Sequence, residues 1–372
     1  MSDVLSLVVV YVLIGAALRL ESTWQLSRYY ISPPLLAGAA GSLLLLTTDP
    51  WLFEWAPSES FTTGLVTCFL FTIGFQMGRM YTLRYYGRLF TILFLSVLLL
   101  LGLEGMVWML FHDGLHQQLL GTSTFAWNPE WMERFRDSFP GQPVLSGYEF
   151  ISLWMVFMLT PIVLRLMSPF HSKPPSASAP AVQWTRWNMG VAGGVVLISW
   201  LSMELKSMWF MHSLYIFEFV ISMTIGWVCG LVYRYRLSGK LQAGQSQRLL
   251  LTIKGMGTLS LYGFIVTMLM LSAGVLRQEG ELWMVSLLLL KGLIISLLII
   301  WIARKTVRRP AQFVWLGACW AFVLSAPVAC MNVMRTIVER DGEANEVLLV
   351  VPPVILWLVN YPHEWIFRWI YG

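Results

Sequence analysis

The stretch LSAPVACMNVMRTIVERDG, Leu324 to Gly342, decides how this chain folds. It continues an apolar run that begins at Phe313, and three residues interrupt that run: Ser325, Pro327 and Asn332. Proline removes a backbone donor and clashes with the preceding helical turn. Inside a membrane, the carbonyl groups freed in this way need polar partners that hydrocarbon cannot supply. The sequence therefore predicts a break in the helix over residues 325–332, facing a protein-lined interior.

The composition of the whole chain argues strongly against a water-soluble globule. Hydrophobic residues make up 57% of the chain and charged residues 12%, and the mean hydropathy is +0.66. Such a chain has too few polar groups to cover its surface. A bilayer core needs about 20 apolar residues per helix, and eleven stretches qualify as candidate spans. They lie near residues 4–20, 30–47, 61–78, 89–112, 148–167, 188–203, 211–233, 254–276, 282–302, 312–334 and 347–362.

The charged residues alternate between the loops that join these spans. One set of five short loops holds 17 of the 25 basic residues, and Glu21 is the single acid beside them. The opposite loops are acidic, with residues such as Asp49, Glu130 and Glu279. Because cytoplasmic loops collect Lys and Arg, we expect a multi-pass membrane protein with these basic loops in the cytoplasm and its N-terminus outside. Nucleic-acid binding is not expected, since the basic residues form no contiguous patch.

A linker divides the chain into comparable halves. It is PFHSKPPSASAPAVQWTR, residues 169–186, where Pro, Ser and Ala replace the apolar pattern. It separates a first transmembrane unit, 1–168, from a second, 187–372. Five spans in each half would make the repeats inverted, which requires that the broken stretch at 312–334 re-enters the membrane. The predicted fold is an all-α integral membrane protein with two inverted five-helix repeats, 10–11 transmembrane segments and one re-entrant or broken helix.

Three segments carry a resemblance to a known family. They are YISPPLLAGAAGSLL, FTTGLVTCFLFTIGFQMGRMYTLRYYGRLF and APVACMNVMRTIVERDGEANEVLLVVPPVILWLVN. In order and spacing they resemble the bacterial sodium/glutamate symporter family along nearly the whole chain, although each local match is loose. The resemblance implies two inverted five-helix repeats, uptake of glutamate or a similar anion with sodium, a homodimer, and a place in the inner membrane of a bacterium.

The glycine-rich turns of that family are missing from both halves. The first half has HDGLHQQLLGTSTFAWNPEWMERF in the corresponding place, and the second has AFVLSAPV, which keeps Ala326 and Pro327. Glycines in such turns let the backbone approach a solute or an ion closely. Two functions therefore stay open. One is a secondary active transporter of a small anionic solute, a glutamate-like amino acid or a carboxylate. The other is a transport-inactive member of the same fold that serves as a membrane partner or sensor scaffold.

The candidate solute-binding residues lie around the break and in the third span. Hydroxyl and amide groups can replace the hydration of a small solute or a sodium ion, although they also join membrane helices as ordinary packing groups. Sodium is the one ion that the resemblance implies, and no other cofactor is expected. The candidates are Ser325, Ala326, Pro327 and Asn332 in the second half and Thr72 and Gly74 in the first.

Three ionisable residues fall inside apolar spans, where an unpaired charge is costly. Glu104 and Lys291 occupy equivalent positions in the fourth helix of each half, and each is followed by glycine. They are interpreted either as a charge pair on the solute path or as a salt bridge that only joins two helices. Glu218 is a further candidate for a proton or cation site. No metal-ligand cluster, Ser/His arrangement or carboxylate pair indicates an enzyme.

Overall fold

The computed structural model describes residues 2–47, 58–80, 146–168, 186–209, 218–239, 241–279, 282–308, 310–324 and 327–341. Within these residues the chain is helical and contains no strand. The linker lies outside the described residues except for Arg186, which begins a helix. The predicted spans at 89–112 and 347–362 also lie outside them. The number of crossings and the inversion of the two halves therefore stay predictions.

The described residues form ten α-helices. They are α1 (Ser2–Trp24), α2 (Pro33–Thr47), α3 (Glu59–Met80), α4 (Ser146–Met167), α5 (Arg186–Trp209), α6 (Glu218–Val232), α7 (Ala243–Glu279), α8 (Leu282–Thr306), α9 (Pro310–Leu324) and α10 (Pro327–Asp341). A short 3₁₀ turn, Leu26–Tyr29, joins α1 to α2. Proline begins α2, α9 and α10, as expected at a first helical position, where its missing N–H has no intrahelical partner to lose.

Large apolar side chains face outward on several helices. On α8, Leu289, Leu293, Ile294 and Leu297 are exposed, and so is Trp301 near its end. A continuous apolar surface of this kind is unfavourable in water and suits contact with lipid tails. Four helices within the described residues are long and apolar enough to cross a membrane, namely Val4–Trp24, Ser60–Met80, Asn188–Leu205 and Gly244–Leu271. These features fit a multi-pass membrane protein.

Helix α7 is the central element. It has 37 residues and packs against α1, α2, α3, α4 and α5. Thr72 of α3 faces Gly257, while Leu65, earlier in α3, faces Gly263, later in α7. The two helices are therefore antiparallel.

Helices α3 and α6 cross at close range through glycine. A Cβ built on Gly226 would lie 3.0 Å from the carbonyl carbon of Phe71, and one built on Gly230 would lie 3.0 Å from the carbonyl carbon of Phe75. The contact residues advance in the same direction along both helices, from Phe71 to Phe75 in α3 and from Gly226 to Gly230 in α6. The two helices therefore run parallel. Gly74 makes the reciprocal contact, against the backbone of α6. Small residues four apart that let two backbones approach are a recurrent device of membrane helices.

Candidate functional site

The predicted helix break divides residues 312–334 into two helices that form a hairpin. Helix α9 ends at Leu324 and α10 begins at Pro327. Gly317 of α9 faces Val333 and Ile337 of α10, so the two helices are antiparallel. Each has 15 residues, which gives a length of about 22 Å. These described arms are shorter than the hydrocarbon core of about 30 Å, but the residues that adjoin both arms lie outside the described part of the chain, so re-entry stays a prediction.

The break is narrower than the sequence indicated. Residues 327–332 were expected to lie within it, and that part of the prediction is wrong, because Pro327 starts a helix that continues through Asn332. Proline is well suited to the first position of a helix, since its fixed φ angle matches the helical value. Ser325 and Ala326 lie outside the described residues, and the side chain of Pro327 is likewise not described. Their role in binding a solute stays a prediction.

Asn332 is the candidate residue with the most informative surroundings. Its side chain is only 2% exposed. The amide nitrogen Nδ2 donates a hydrogen bond to Ser32 Oγ at 3.1 Å. The amide oxygen Oδ1 is buried and has no hydrogen-bond partner among the described residues. A buried polar atom left in this state costs about 1–3 kcal/mol, so the site favours a ligand that can donate a hydrogen bond.

Ser32 belongs to a corner between the 3₁₀ turn and α2. Its side chain is 5% exposed, and its carbonyl oxygen accepts from the N–H of Leu35 at 3.1 Å. Pro33 and Pro34 follow it and have no backbone donor. The start of α2 therefore offers few N–H groups to an anion, and side chains must supply the recognition at this point.

Arg335 places a positive charge on the same helix as Asn332. It lies three residues further along α10, so the two side chains project from neighbouring positions of one face. Its guanidinium donates to Thr258 Oγ1 at 2.9 Å and stacks over the ring of Tyr262 at 4.8 Å. The side chain is half-buried. Sequence reasoning missed Arg335, although its place within the apolar run VMRTIV (333–338) was a usable signal.

A second arginine of α10, Arg340, stacks on Tyr30 in the corner that carries Ser32. The guanidinium carbon of Arg340 lies 3.8 Å from the centre of the Tyr30 ring. The same ring meets Phe313 of α9 edge to face, with centroids 6.2 Å apart. Tyr30 therefore contacts side chains of both helices of the hairpin, and it is 1% exposed.

The two candidates in α3 lie in helix-packing surfaces. Thr72 is buried, and its hydroxyl donates to the Phe69 carbonyl of its own helix at 2.7 Å. It faces Gly257 of α7, the residue before Thr258. Thr72 and Arg335 thus approach α7 at the same level. Gly74 packs against the backbone of α6, so the structure gives it a close-packing role. Binding of a solute by either residue stays a prediction.

The three intramembrane charges of the sequence analysis are only partly located. Glu104 lies outside the described residues. Lys291 lies within α8 and Glu218 begins α6, but neither side chain is described. The pairing of Glu104 with Lys291 therefore stays a prediction.

The described residues thus form a helical structure with a membrane-type surface and a buried polar cluster beside a helical hairpin. No group of three His, Cys, Asp or Glu side chains that could hold a metal ion occurs among the described residues. Comparison with known proteins found no matching family model, no matching curated protein and no matching solved structure.

Proposed function

We propose that this protein is a secondary active transporter of a small anionic solute, a glutamate-like amino acid or a carboxylate, coupled to sodium. The observation that carries the proposal is the Asn332 side chain. It is buried on α10, five residues after the start of that helix at Pro327, it is hydrogen-bonded to Ser32, and its oxygen has no partner among the described residues. Such an atom contributes most when a ligand supplies the missing hydrogen bond. Buried polar groups on short or interrupted membrane helices are typical of the solute sites of transporters.

The charge of the solute is inferred from Arg335. A planar guanidinium binds carboxylates through two parallel hydrogen bonds. The contacts with Thr258 and Tyr262 hold its plane in place, so less side-chain freedom is lost when an anion binds. An ammonium or hydroxyl group on the same solute would satisfy the Asn332 oxygen.

Two features support inverted repeats within this proposal. The third helices of the two halves, α3 and α7, are antiparallel, as inversion requires. In addition, a serine in each second helix donates to a third-helix carbonyl of the other half. These are Ser42 Oγ to Leu269 O at 2.7 Å and Ser222 Oγ to Thr67 O at 2.8 Å.

We infer the orientation in the membrane from the basic helix ends. Phe75 of α3, Tyr233 after α6 and Ile253 of α7 pack together, so three helix ends that carry basic residues meet. With this side in the cytoplasm of a bacterium, the N-terminus of the chain lies outside. A homodimer is part of the same proposal.

A transport-inactive scaffold is the second candidate. The observation that favours it is the absence of glycine from AFVLSAPV (321–328), where a close approach of backbone to solute would need it. The two candidates differ in one measurable property, since only the transporter must bind a small solute.

Equilibrium binding tests the proposal directly. Purified protein in detergent is titrated with radiolabelled glutamate and with a panel of small carboxylates, with and without sodium. We expect saturable binding that weakens about tenfold or more in Asn332→Ala, the effect of about one lost hydrogen bond. The matched control is Gln247→Ala, which removes an exposed amide from α7. Equal binding by both variants, or no saturable binding by the folded wild type, would contradict it.

A further inference from the structure

The two side chains of the candidate site that hydrogen-bond each other, Asn332 and Ser32, are almost completely buried. Asn332 is 2% exposed and Ser32 is 5% exposed. A solute can therefore reach the amide of Asn332 only if a covering element moves. The covering elements that the described contacts identify are helix α10 and the corner formed by residues 30–32.

The contacts that hold this closure lie on one face of α10. Asn332, Thr336 and Arg340 are spaced four residues apart, so they form a single row along the helix. Asn332 at one end of the row bonds Ser32, and Arg340 at the other end stacks over Tyr30. Long side chains of a helix point back toward its N-terminus. Arg340 therefore projects along the row toward Asn332, and its guanidinium stacks on Tyr30, two residues before Ser32.

The backbone conformation of Tyr30 favours opening of the Asn332 site. Its φ angle is +59°, in the left-handed region that residues other than glycine seldom occupy. The surroundings must hold such a residue in place. The ring contacts with Phe313 of α9 and Arg340 of α10 do so. When the hairpin moves away from the corner, this backbone strain can relax.

We propose that Tyr30, Phe313 and Arg340 form a latch, called here the Tyr30 latch, which closes the Asn332 site on the side of the basic helix ends. The moving part is the α9–α10 hairpin, and the stationary part is the corner that begins α2. Release of Arg340 from the Tyr30 ring opens a path to Asn332. This inference rests on the proposed transport function, because it assigns the closure a role in solute access.

Cysteine labelling measures the opening without knowledge of the solute. Thr336→Cys places a thiol between Asn332 and Arg340, at a position that is 3% exposed in the closed structure. A membrane-impermeant maleimide is added to inside-out and right-side-out vesicles, and the chain without this substitution gives the background of the native cysteines. When opening and closing are fast, the labelling rate follows the population of the open form. The test variant adds Arg340→Gln, and the matched control adds Arg304→Gln, which neutralises an exposed arginine of α8.

We expect Arg340→Gln to raise the labelling rate about tenfold, the effect of losing one cation–π contact from a partly desolvated site. The increase should occur in inside-out vesicles only, and Arg304→Gln should have no effect. Arg340→Lys keeps a cation over the ring and should restore slow labelling. If Arg340→Gln does not accumulate as folded protein, Tyr30→Leu removes the other partner and should give the same increase.

Slow labelling in folded Arg340→Gln or Tyr30→Leu would overturn the latch. Fast labelling in the Arg304→Gln control would also overturn it, because the effect would then follow from charge alone. The outcome is separable from that of the transport proposal. A latch that opens in a protein that binds no solute would contradict transport only, and solute binding with unchanged labelling would contradict the latch only.

Discussion

Replacement of Gly226 by valine tests the glycine-mediated crossing of α3 and α6. A Cβ at this position would lie 3.0 Å from the Phe71 carbonyl carbon, and closer still to the carbonyl oxygen. Attractive contacts between carbon atoms are optimal at about 3.5–4.0 Å. Backbone atoms cannot rotate away as a side chain can, so α3 and α6 must separate and lose their neighbouring contacts.

The expected destabilisation is at the upper end of the overpacking range, about 3 kcal/mol. The better helix propensity of valine over glycine offsets only a few tenths of a kcal/mol (about 0.3). The equilibrium constant for unfolding should therefore rise by about two orders of magnitude. Gly15→Val in α1 is the matched control, since no atom of the described residues lies within 4 Å of a Cβ there. It should change stability by less than about 0.5 kcal/mol.

Unfolding is followed by circular dichroism during titration of mixed micelles with sodium dodecyl sulfate. Gly226→Val should unfold at a clearly lower detergent fraction than the wild type, whereas Gly15→Val should match the wild type. Gly74→Val should behave like Gly226→Val, because the two glycines make reciprocal contacts across one crossing. Equal unfolding midpoints for Gly226→Val and Gly15→Val would refute the parallel glycine-mediated packing of α3 and α6.

Three further predictions concern the site and its supports. Arg335→Gln should weaken binding of an anionic solute by about tenfold or more and leave binding of its neutral amide analogue nearly unchanged; equal losses for both would contradict anion recognition. Trp320→Phe should lower the free energy of unfolding by about 1–3 kcal/mol, because Trp320 Nε1 donates to buried Ser296 Oγ at 2.9 Å; a stability within about 0.5 kcal/mol of the wild type would argue against this bond. Lys291→Gln should impair folding or transport, and the double variant with Glu104→Gln should recover much of the loss, whereas equal damage in both would exclude the pairing.

Local chemistry made part of the fold predictable. Proline acts on its own backbone and on the preceding turn, so the end of α9 near Pro327 could be inferred from a few letters. The apolar spans could be recognised in the same way, because the bilayer imposes a length on each helix. The width of the break was overestimated, since proline can also begin a helix.

Contacts between segments that are distant in the sequence could not be predicted from local sequence patterns. The Asn332–Ser32 hydrogen bond joins residues 300 positions apart, and no local pattern specifies its partner. Arg335 was not identified as a candidate, because its position beside α7 depends on the fold-back of the hairpin. Two similar segments lie at the crossing of α3 and α6, FTIGFQMG (71–78) and MTIGWVCG (223–230). Their pairing is a tertiary property, which the sequence pattern alone does not specify.

Solute counterflow in proteoliposomes measures directly whether this protein transports a small anionic solute. Vesicles loaded with unlabelled glutamate are diluted into a trace of labelled glutamate, with and without sodium, and uptake is compared between wild type and Asn332→Ala. We predict sodium-dependent accumulation of labelled glutamate in wild-type vesicles and an uptake that is lower by about tenfold or more in Asn332→Ala. Uptake by folded wild-type protein that is no faster than in protein-free vesicles, for glutamate and for a panel of small carboxylates, would contradict transport.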